Sequence, residues 1–340
     1  MVEANTNAQR VLNTFPRRKI AVVGDLVADR YLRGTIDRVS REAPVLIVKH
    51  DQTETFPGGA ANAAANIASL GGSSLAVGVV GSDPSGEELT AELAALGVET
   101  RSIVASSSYS TTTKTRVLAG RSTSSRQQVL RIDDEDRTGP SAQDRSVLRE
   151  KAVAAAAESD AIIVSDYGYG AVDPELYSAV LAIANDRGIP IVVDSRYRLA
   201  EFRGATAATP NLEEAEAIIG SGFENAAADG LRQQLAYRAL LITRGGNGML
   251  LSEEGLPVTH IPVIGSSEPV DVTGAGDTVI AVFTMALAAG FDFHLAATIA
   301  NHAGGIVVMK RGTATVSLEE LAESLSMEAS SVSAAADETL

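Results

Sequence analysis

Short apolar runs rich in β-branched residues alternate along this chain with Ala-rich stretches of helical period. Residues 19–23, 74–80, 161–164, 189–193 and 239–243 read as strands, and 59–70, 86–96, 142–157, 174–186 and 212–219 read as helices. The strand runs are apolar throughout rather than alternating, the pattern of strands covered on both faces. Strand, helix, strand at this cadence predicts an α/β protein with a mainly parallel central sheet.

Two regions break the cadence. Residues 31–50 and 109–132 are extended in pattern, the second Thr-rich and alternating, with no helix between their halves. They predict a small accessory sheet projecting from one edge of the domain; the alternative is a pair of ordinary surface hairpins. Further on, 274–289 and 293–309 form two long helical patterns divided by Gly290, and 328–340 is Ala/Ser-rich without core-forming residues, which predicts a disordered tail.

At 340 residues the chain has room for about two domains, or one large one. Hydrophobic residues make up 45%, ample for a core, so disorder of the whole chain is excluded. The 28 Lys and Arg against 43 Asp and Glu leave a net charge of −15. Such a surface repels phosphate backbones and argues against a nucleic-acid partner; an anionic substrate has to be met by a local cation cluster. There is no cysteine, which excludes disulfides, thiolate nucleophiles and Cys-ligated zinc. His50, His260, His294 and His302 contain no pair at the spacing of a helical zinc site. Residues 1–10 lack the apolar stretch of a secretory signal, and the longest apolar run, 279–289, is too short for a bilayer, which takes about 20 residues. The expectation is a cytoplasmic protein with no membrane partner.

The most informative stretch is Asp271-Val272-Thr273-Gly274-Ala275-Gly276-Asp277-Thr278, which opens a helix. A helix N-terminus offers unpaired N–H groups and a positive dipole end to a phosphate, and glycines at 274 and 276 let a ligand's oxygens approach the backbone. Asp277, in the first turn, would then stand beside the bound phosphoryl group and could take a proton from an attacking hydroxyl. The structural alternative is that Thr273 caps the helix and Asp277 complements its dipole. Gly276, however, occupies the position where a capping box would place an acid, and two glycines in a first turn cost about 1 kcal/mol each against Ala. Rival nucleotide motifs are missing: Gly81 and Gly86 have P-loop spacing but are followed by Glu87, and no Gly-x-Gly-x-x-Gly follows a strand.

These residues resemble the two signatures of the ribokinase-like (PfkB) family of carbohydrate kinases. The second matches residues 271–278, and the first matches Pro57-Gly58-Gly59-Ala60-Ala61-Asn62-Ala63-Ala64-Ala65-Asn66. Thr209-Pro210-Asn211-Leu212-Glu213-Glu214 and Thr243-Arg244-Gly245-Gly246-Asn247-Gly248 follow in family order, so the resemblance spans about 19–326. Within the family the chain is most similar to the stand-alone heptose 7-phosphate kinases of ADP-heptose biosynthesis. That similarity rests on Gly24-Asp25-Leu26-Val27-Ala28-Asp29-Arg30-Tyr31, on 38–45, on Gln127-Gln128-Val129-Leu130-Arg131-Ile132-Asp133 and on Ser165-Asp166-Tyr167-Gly168. The chain departs from those kinases at Tyr169, where they carry Lys, at Asp194-Ser195-Arg196 in place of Asp-Pro-Lys, and at Arg41 in place of Pro. Arg196 can replace one lost lysine as a fork-shaped phosphate ligand.

The resemblance implies a three-layer α/β/α kinase domain over 11–327 with a mainly parallel central sheet, a small β-sheet lid from about 31–50 and 109–132, and a tail over 328–340. It implies transfer of the γ-phosphoryl of ATP to a sugar hydroxyl, with Asp277 as base and the Gly274, Ala275 and Gly276 amides as anion hole. Asp25, Asp29, Gly58, Gly59, Asn62 and Asp166 become candidate sugar-binding residues, and Lys114, Arg116 and Arg131 candidates for a phosphate carried by the sugar. Asp194, Arg196, Asn211, Thr243, Gly245, Gly248, Asn301 and Ala303 become candidates for the nucleotide, and Asn211 and Glu214 for Mg²⁺, which keeps part of its water shell. From spacing alone, Asn211 and Glu214 read equally as an N-cap and its capping-box acid. Some members bind a monovalent cation, for which Asp271 and Thr273 are candidate ligands, and many dimerise through the lid, so a homodimer is expected. Two other readings stay open at this point: a kinase of an unphosphorylated monosaccharide, and a non-catalytic sugar- or nucleotide-responsive protein on the same fold.

Overall fold

The computed structural model describes residues 2–120, 126–136, 138–220, 225–265 and 268–337. The strands are β1 (Lys19–Gly24), β2 (Leu26–Val39), β3 (Leu46–Gly59), β4 (Ser73–Gly81), β5 (Ile103–Ser106), β6 (Thr113–Gly120), β7 (Gln127–Asp134), β8 (Ala161–Asp166), β9 (Ile191–Ser195), β10 (Ala207–Ala208), β11 (Ala239–Thr243), β12 (Met249–Glu253) and β13 (Thr259–Ile261). The helices are α1 (Val2–Thr14), α2 (Ala60–Ser69), α3 (Pro84–Ala95), α4 (Ala142–Ala157), α5 (Pro174–Arg187), α6 (Leu212–Ile219), α7 (Asn225–Leu235), α8 (Ala275–Ala288), α9 (Phe293–Val307) and α10 (Leu318–Asp337).

Nine strands form one sheet in the order β13-β12-β11-β10-β9-β8-β1-β4-β5. Every pairing from β11 to β5 is parallel, and β12 and β13 add an antiparallel edge. The two-residue period of a strand sends alternate side chains to opposite faces. Ile20, Val22, Ala161 and Ile163 enter a core with α1, α2, α3, α8, α9 and α10, while Ala21, Val23, Ile162 and Val164 enter a second core with α4, α5, α6 and α7. The fold is therefore a three-layer α/β/α sandwich. Helix starts follow their local chemistry: Asp83 and Asp173 cap helices with Pro at the first position, and Ser141 with Asp144 makes a capping box.

A separate four-stranded sheet, β3-β2-β6-β7, makes the lid, with β2 and β6 parallel and the outer pairs antiparallel. It is longer than the sequence predicts, because β2 begins at Leu26, straight after β1, and β3 runs on to Gly59. The domain also takes in residues before 11: Ala8 and Val11 of α1 are buried, and Phe15, just after α1, packs edge-on against Phe291. At the other end, α10 is helical through Asp337, so most of the expected irregular tail is helix, and 338–340 lie outside the described residues. Among the described residues no helix is long and apolar enough to cross a membrane.

Candidate active site

Asp277 occupies the first turn of α8 and is 4% exposed. Asn62 Nδ2 on α2 donates to its Oδ2 at 2.9 Å, and the Tyr167 hydroxyl, in the loop after β8, donates to its Oδ1 at 2.7 Å. Burial pushes the carboxyl up to about 6, against the pull of the Tyr167 and Asn62 hydrogen bonds; the negative charge of Asp29 adds to the rise and Lys114 opposes it. Behind Asn62, Asn66 Nδ2 donates to its Oδ1 at 3.2 Å, and Thr278 Oγ1 and the Val316 amide hold Asn66 Oδ1 in turn, each at 3.3 Å. Gly274 caps the helix at φ +79°, and a Cβ there would lie 2.5 Å from Asn62 Nδ2. Only glycine therefore permits both this turn and the Asn62–Asp277 contact. Among the described residues the Gly276 and Asp277 amides donate to no protein acceptor, as the first turn of a helix leaves them, whereas the Ala275 amide, expected in the anion hole, donates to the Val272 carbonyl at 3.3 Å because the turn before the helix closes on it.

The lid brings Asp29 over this centre. Its Oδ1 accepts from Arg116 Nη1 at 2.7 Å and its Oδ2 from Thr313 Oγ1 at 2.9 Å. A Cβ on Gly58 would stand 2.8 Å from the Asp29 carboxylate, which explains a glycine there. Lys114, in register with Asp29, lies over the rings of Tyr167 and Tyr169 at 5.9 and 5.5 Å, and burial lowers its pKa. Arg131, expected beside it for a phosphate, is exposed and bonds Asp133 through two nitrogens at 2.8 and 2.7 Å. A cleft of about 690 Å³ under the lid is instead lined by Arg33, Arg116, Arg126 and Arg311, with Tyr31 and Phe56 between them. Arg33 is paired with Glu54 and Arg126 with Asp51, while Arg311 has no ion pair among the described residues.

On the other side of Asp277, a cavity of about 250 Å³ is lined by Asp194, Arg196, Asn211, Glu214, Thr243 and Gly276, with Tyr167 at its edge. It joins, through Thr243 and Gly276, an apolar cavity of about 170 Å³ lined by Gly245, Gly248, Asn301, Gly304 and Gly305. Asn301 Nδ2 donates to the Pro262 carbonyl at 2.7 Å and so forms the wall of that cavity. Ala303 does not: it is fully buried in the core, because the face of α9 that meets the cavity carries Gly304 and Gly305. Asn211 and Glu214 make a reciprocal capping box, Asn211 Oδ1 accepting from the Glu214 amide and Glu214 Oε2 from the Asn211 amide, both at 2.9 Å. Asp194 finds no hydrogen-bond partner among the described residues, and burial together with the charges of Glu214, Asp277 and Asp166 pushes its pKa well up. A carboxylate in that position is suited to a cation. Among the described residues no group of three acidic or histidine side chains forms a cage for one, so an ion here would take its remaining ligands from phosphate and water.

Two expected sugar ligands belong to the scaffold. Asp25 accepts from the backbone amides of Tyr167, Tyr169 and Ala171 at 2.8, 3.0 and 3.0 Å, which spends its carboxylate on the loop that carries Tyr167. Asp166 is held by Ser195 Oγ at 2.7 Å and by an ion pair with Arg198. Gly59 is the N-cap of α2 at φ +57°, where a Cβ would stand 2.9 Å from the Asp25 carbonyl oxygen. Asp271 spends its carboxylate on the Thr273 and Gly312 amides, at 3.0 and 2.9 Å, closing the turn before α8. Tyr167, Thr313 and Arg198 carry no sequence signal for a place in the site, although Tyr167 lies inside a stretch that bears the family resemblance.

A buried carboxylate beside bare amides, next to a cavity that Gly276 lines together with Asp194, Arg196, Asn211 and Glu214, on a three-layer α/β/α fold, is the arrangement of a phosphotransferase of the ribokinase-like class. The chain belongs to the pfkB family of carbohydrate kinases, whose model matches residues 17–321. Among curated proteins it is 42% identical over 319 residues to the bifunctional protein HldE of Aeromonas salmonicida and 43% identical over 319 residues to that of Shewanella amazonensis, covering 92% of this chain in both cases. It spans 65% of the length of these relatives. Among solved structures, Escherichia coli phosphofructokinase-2 in complex with substrates and products superposes with a TM-score of 0.74 at 18% identity, covering 91% of this chain and 99% of that one. Arabidopsis thaliana ribokinase complexed with ribose and ATP gives 0.68 at 19%, covering 91% and 98%. At these identities the likeness concerns the fold.

Proposed function

We propose that this kinase transfers the γ-phosphoryl of ATP to O1 of a heptose 7-phosphate. The observation that carries the reading is the position of Asp277, its carboxylate facing Asn62 and Asp29 on one side and the free Gly276 and Asp277 amides on the other. The sugar lies between Asp29, Asn62 and Asp277. Asp277 takes the proton of the attacking hydroxyl as its oxygen bonds to the γ-phosphorus and the bond from that phosphorus to the ADP oxygen breaks. The amides at the start of α8 stabilise the charge that develops on the phosphoryl oxygens. Mg²⁺, when bound, neutralises the phosphate charge, and Asp194, Asn211 and Glu214 are the residues that would face it.

The relatives and the motifs quoted above support the heptose assignment. The arginine-lined cleft, with Arg311 the freest of its cations, supports a phosphate on the sugar, as does Lys114, which stands over the rings of Tyr167 and Tyr169. Closure of the lid would exclude water, which competes with the sugar hydroxyl for ATP. Exposed apolar side chains on the lid, among them Val45, Leu46, Leu130 and Ile132, support a homodimer through that sheet. Chemistry that consumes ATP, in a chain without cysteine, fits a cytoplasmic setting.

A second reading, a kinase of an unphosphorylated monosaccharide, is favoured by the engagement of Arg116 and Arg131 with Asp29 and Asp133. ATP turnover across free and phosphorylated hexoses and heptoses separates the two. Preference for the phosphorylated sugars, with a rise in their KM in Lys114→Met and Arg311→Glu, supports the first. Equal use of free sugars supports the second, and absence of turnover throughout sinks both in favour of a binding protein.

A further inference from the structure

We propose that Tyr167 is the positioning residue of the base: its hydroxyl holds Oδ1 of Asp277 and so fixes the carboxylate, ionised and aimed, toward the sugar hydroxyl. This rests on the reading of Asp277 as the base.

The geometry carries the assignment. Two donors, the Tyr167 hydroxyl at 2.7 Å and Asn62 Nδ2 at 2.9 Å, take one oxygen each and thereby fix the plane of the carboxylate. Each carboxylate oxygen accepts more than one hydrogen bond, so the substrate hydroxyl still finds a lone pair. Tyr167 is itself held at three points. Asp25 binds its amide at 2.8 Å, Lys114 Nζ stands 5.9 Å from its ring centre, and Gly59 presses on the ring so closely that a Cβ there would come within 3.3 Å. A buried aspartate thus serves to place one loop whose side chain ends on the base.

The charged groups around Asp277 make this donor matter. Asp29 faces it from β2 and Asp194 from β9, and both oppose its ionisation; Lys114 from β6 favours it, and Arg196 faces Asp194 and Tyr167. Burial, reinforced by the charges of Asp277 and Asp194, raises the phenol well above its usual range, so Tyr167 stays protonated and acts purely as a donor to the carboxylate.

The test is the pH profile of kcat/KM in Tyr167→Phe. The acid limb is expected to move up by about one pH unit, so that activity at pH 5 falls about tenfold while activity at pH 8.5 stays within about threefold of the parent. The sugar KM is expected to stay within about twofold. An equal loss at every pH, or a fall in the sugar KM showing that the hydroxyl merely obstructs the substrate, overturns the proposal. Should the Phe variant fold poorly, 3-fluorotyrosine placed at position 167 keeps the ring and makes a stronger donor; the limb should move down, and an unmoved limb overturns the assignment. Asp277→Asn distinguishes the two levels. Turnover surviving in that variant removes the base itself, whereas loss of turnover there with an unmoved limb in Tyr167→Phe removes Tyr167 alone.

Discussion

Asp29 and Arg116 close a buried ion pair at 2.7 Å across neighbouring lid strands, with their side chains 7% and 12% exposed. Both were expected to reach for substrate, and each finds the other first. Removing one partner leaves the second charge buried, so Arg116→Met should cost about 3 kcal/mol of unfolding free energy in urea titration. Asp29→Asn combined with Arg116→Met should recover most of that stability and still bind sugar poorly. A double variant with a parental sugar KM would show that the pair only holds the lid together.

Replacement of Asp277 by Asn keeps the shape of the side chain and the Tyr167 contact while removing the proton acceptor. Turnover should fall about 10³-fold, and the nucleotide Kd should stay within about threefold, measured by calorimetry with a non-hydrolysable ATP analogue.

The acid limb of the reaction should lie near pH 6. Burial raises the Asp277 carboxyl to about 6, and the base works only when ionised, so kcat/KM is expected to hold steady from pH 7 to 8 and to lose about tenfold per unit below 6. A limb near the ordinary carboxylate value would mean that water reaches Asp277 in the working enzyme.

Gly276 and Gly274 should answer differently to a methyl group. A Cβ at Gly276 meets nothing within 4 Å, whereas one at Gly274 strikes Asn62 and sits at positive φ. Gly276→Ala should keep or raise Tm, since Ala stabilises a helical position by about 0.5–1 kcal/mol. It should lower kcat/KM for ATP about 100-fold by crowding the phosphate. Gly274→Ala should lower Tm as well as activity. Parental ATP kinetics in Gly276→Ala would place the phosphoryl group elsewhere.

Much of this was legible in the sequence. The β-branched runs name five parallel strands to within a few residues, because strands buried on both faces have no freedom to be polar. Asp277 is legible because two glycines in a first turn make poor sense unless something must approach the backbone. What the sequence hides is the direction in which a carboxylate is used. Asp25 and Asp29 lie on one short stretch, yet Asp25 takes three amides from a loop more than a hundred residues away and Asp29 faces the cleft. Asn211 and Glu214 satisfy a capping box and line a cavity at once, so spacing could not choose between the two. Arg198, the partner of Asp166, and Tyr167 owe their places to tertiary folding and leave no local mark.

Strand β1 passes into β2 through the single residue Asp25, whose amide is tied to Ser165 and whose carboxylate holds the Tyr167 loop. The cover over the sugar and the arm that reaches the proton acceptor therefore share one root. A change at that root would disturb recognition and reactivity together. New sugar preferences are accordingly best sought toward the far ends of the lid strands, around Arg33 and Arg126, where side chains can be exchanged while the root of the machine stays still.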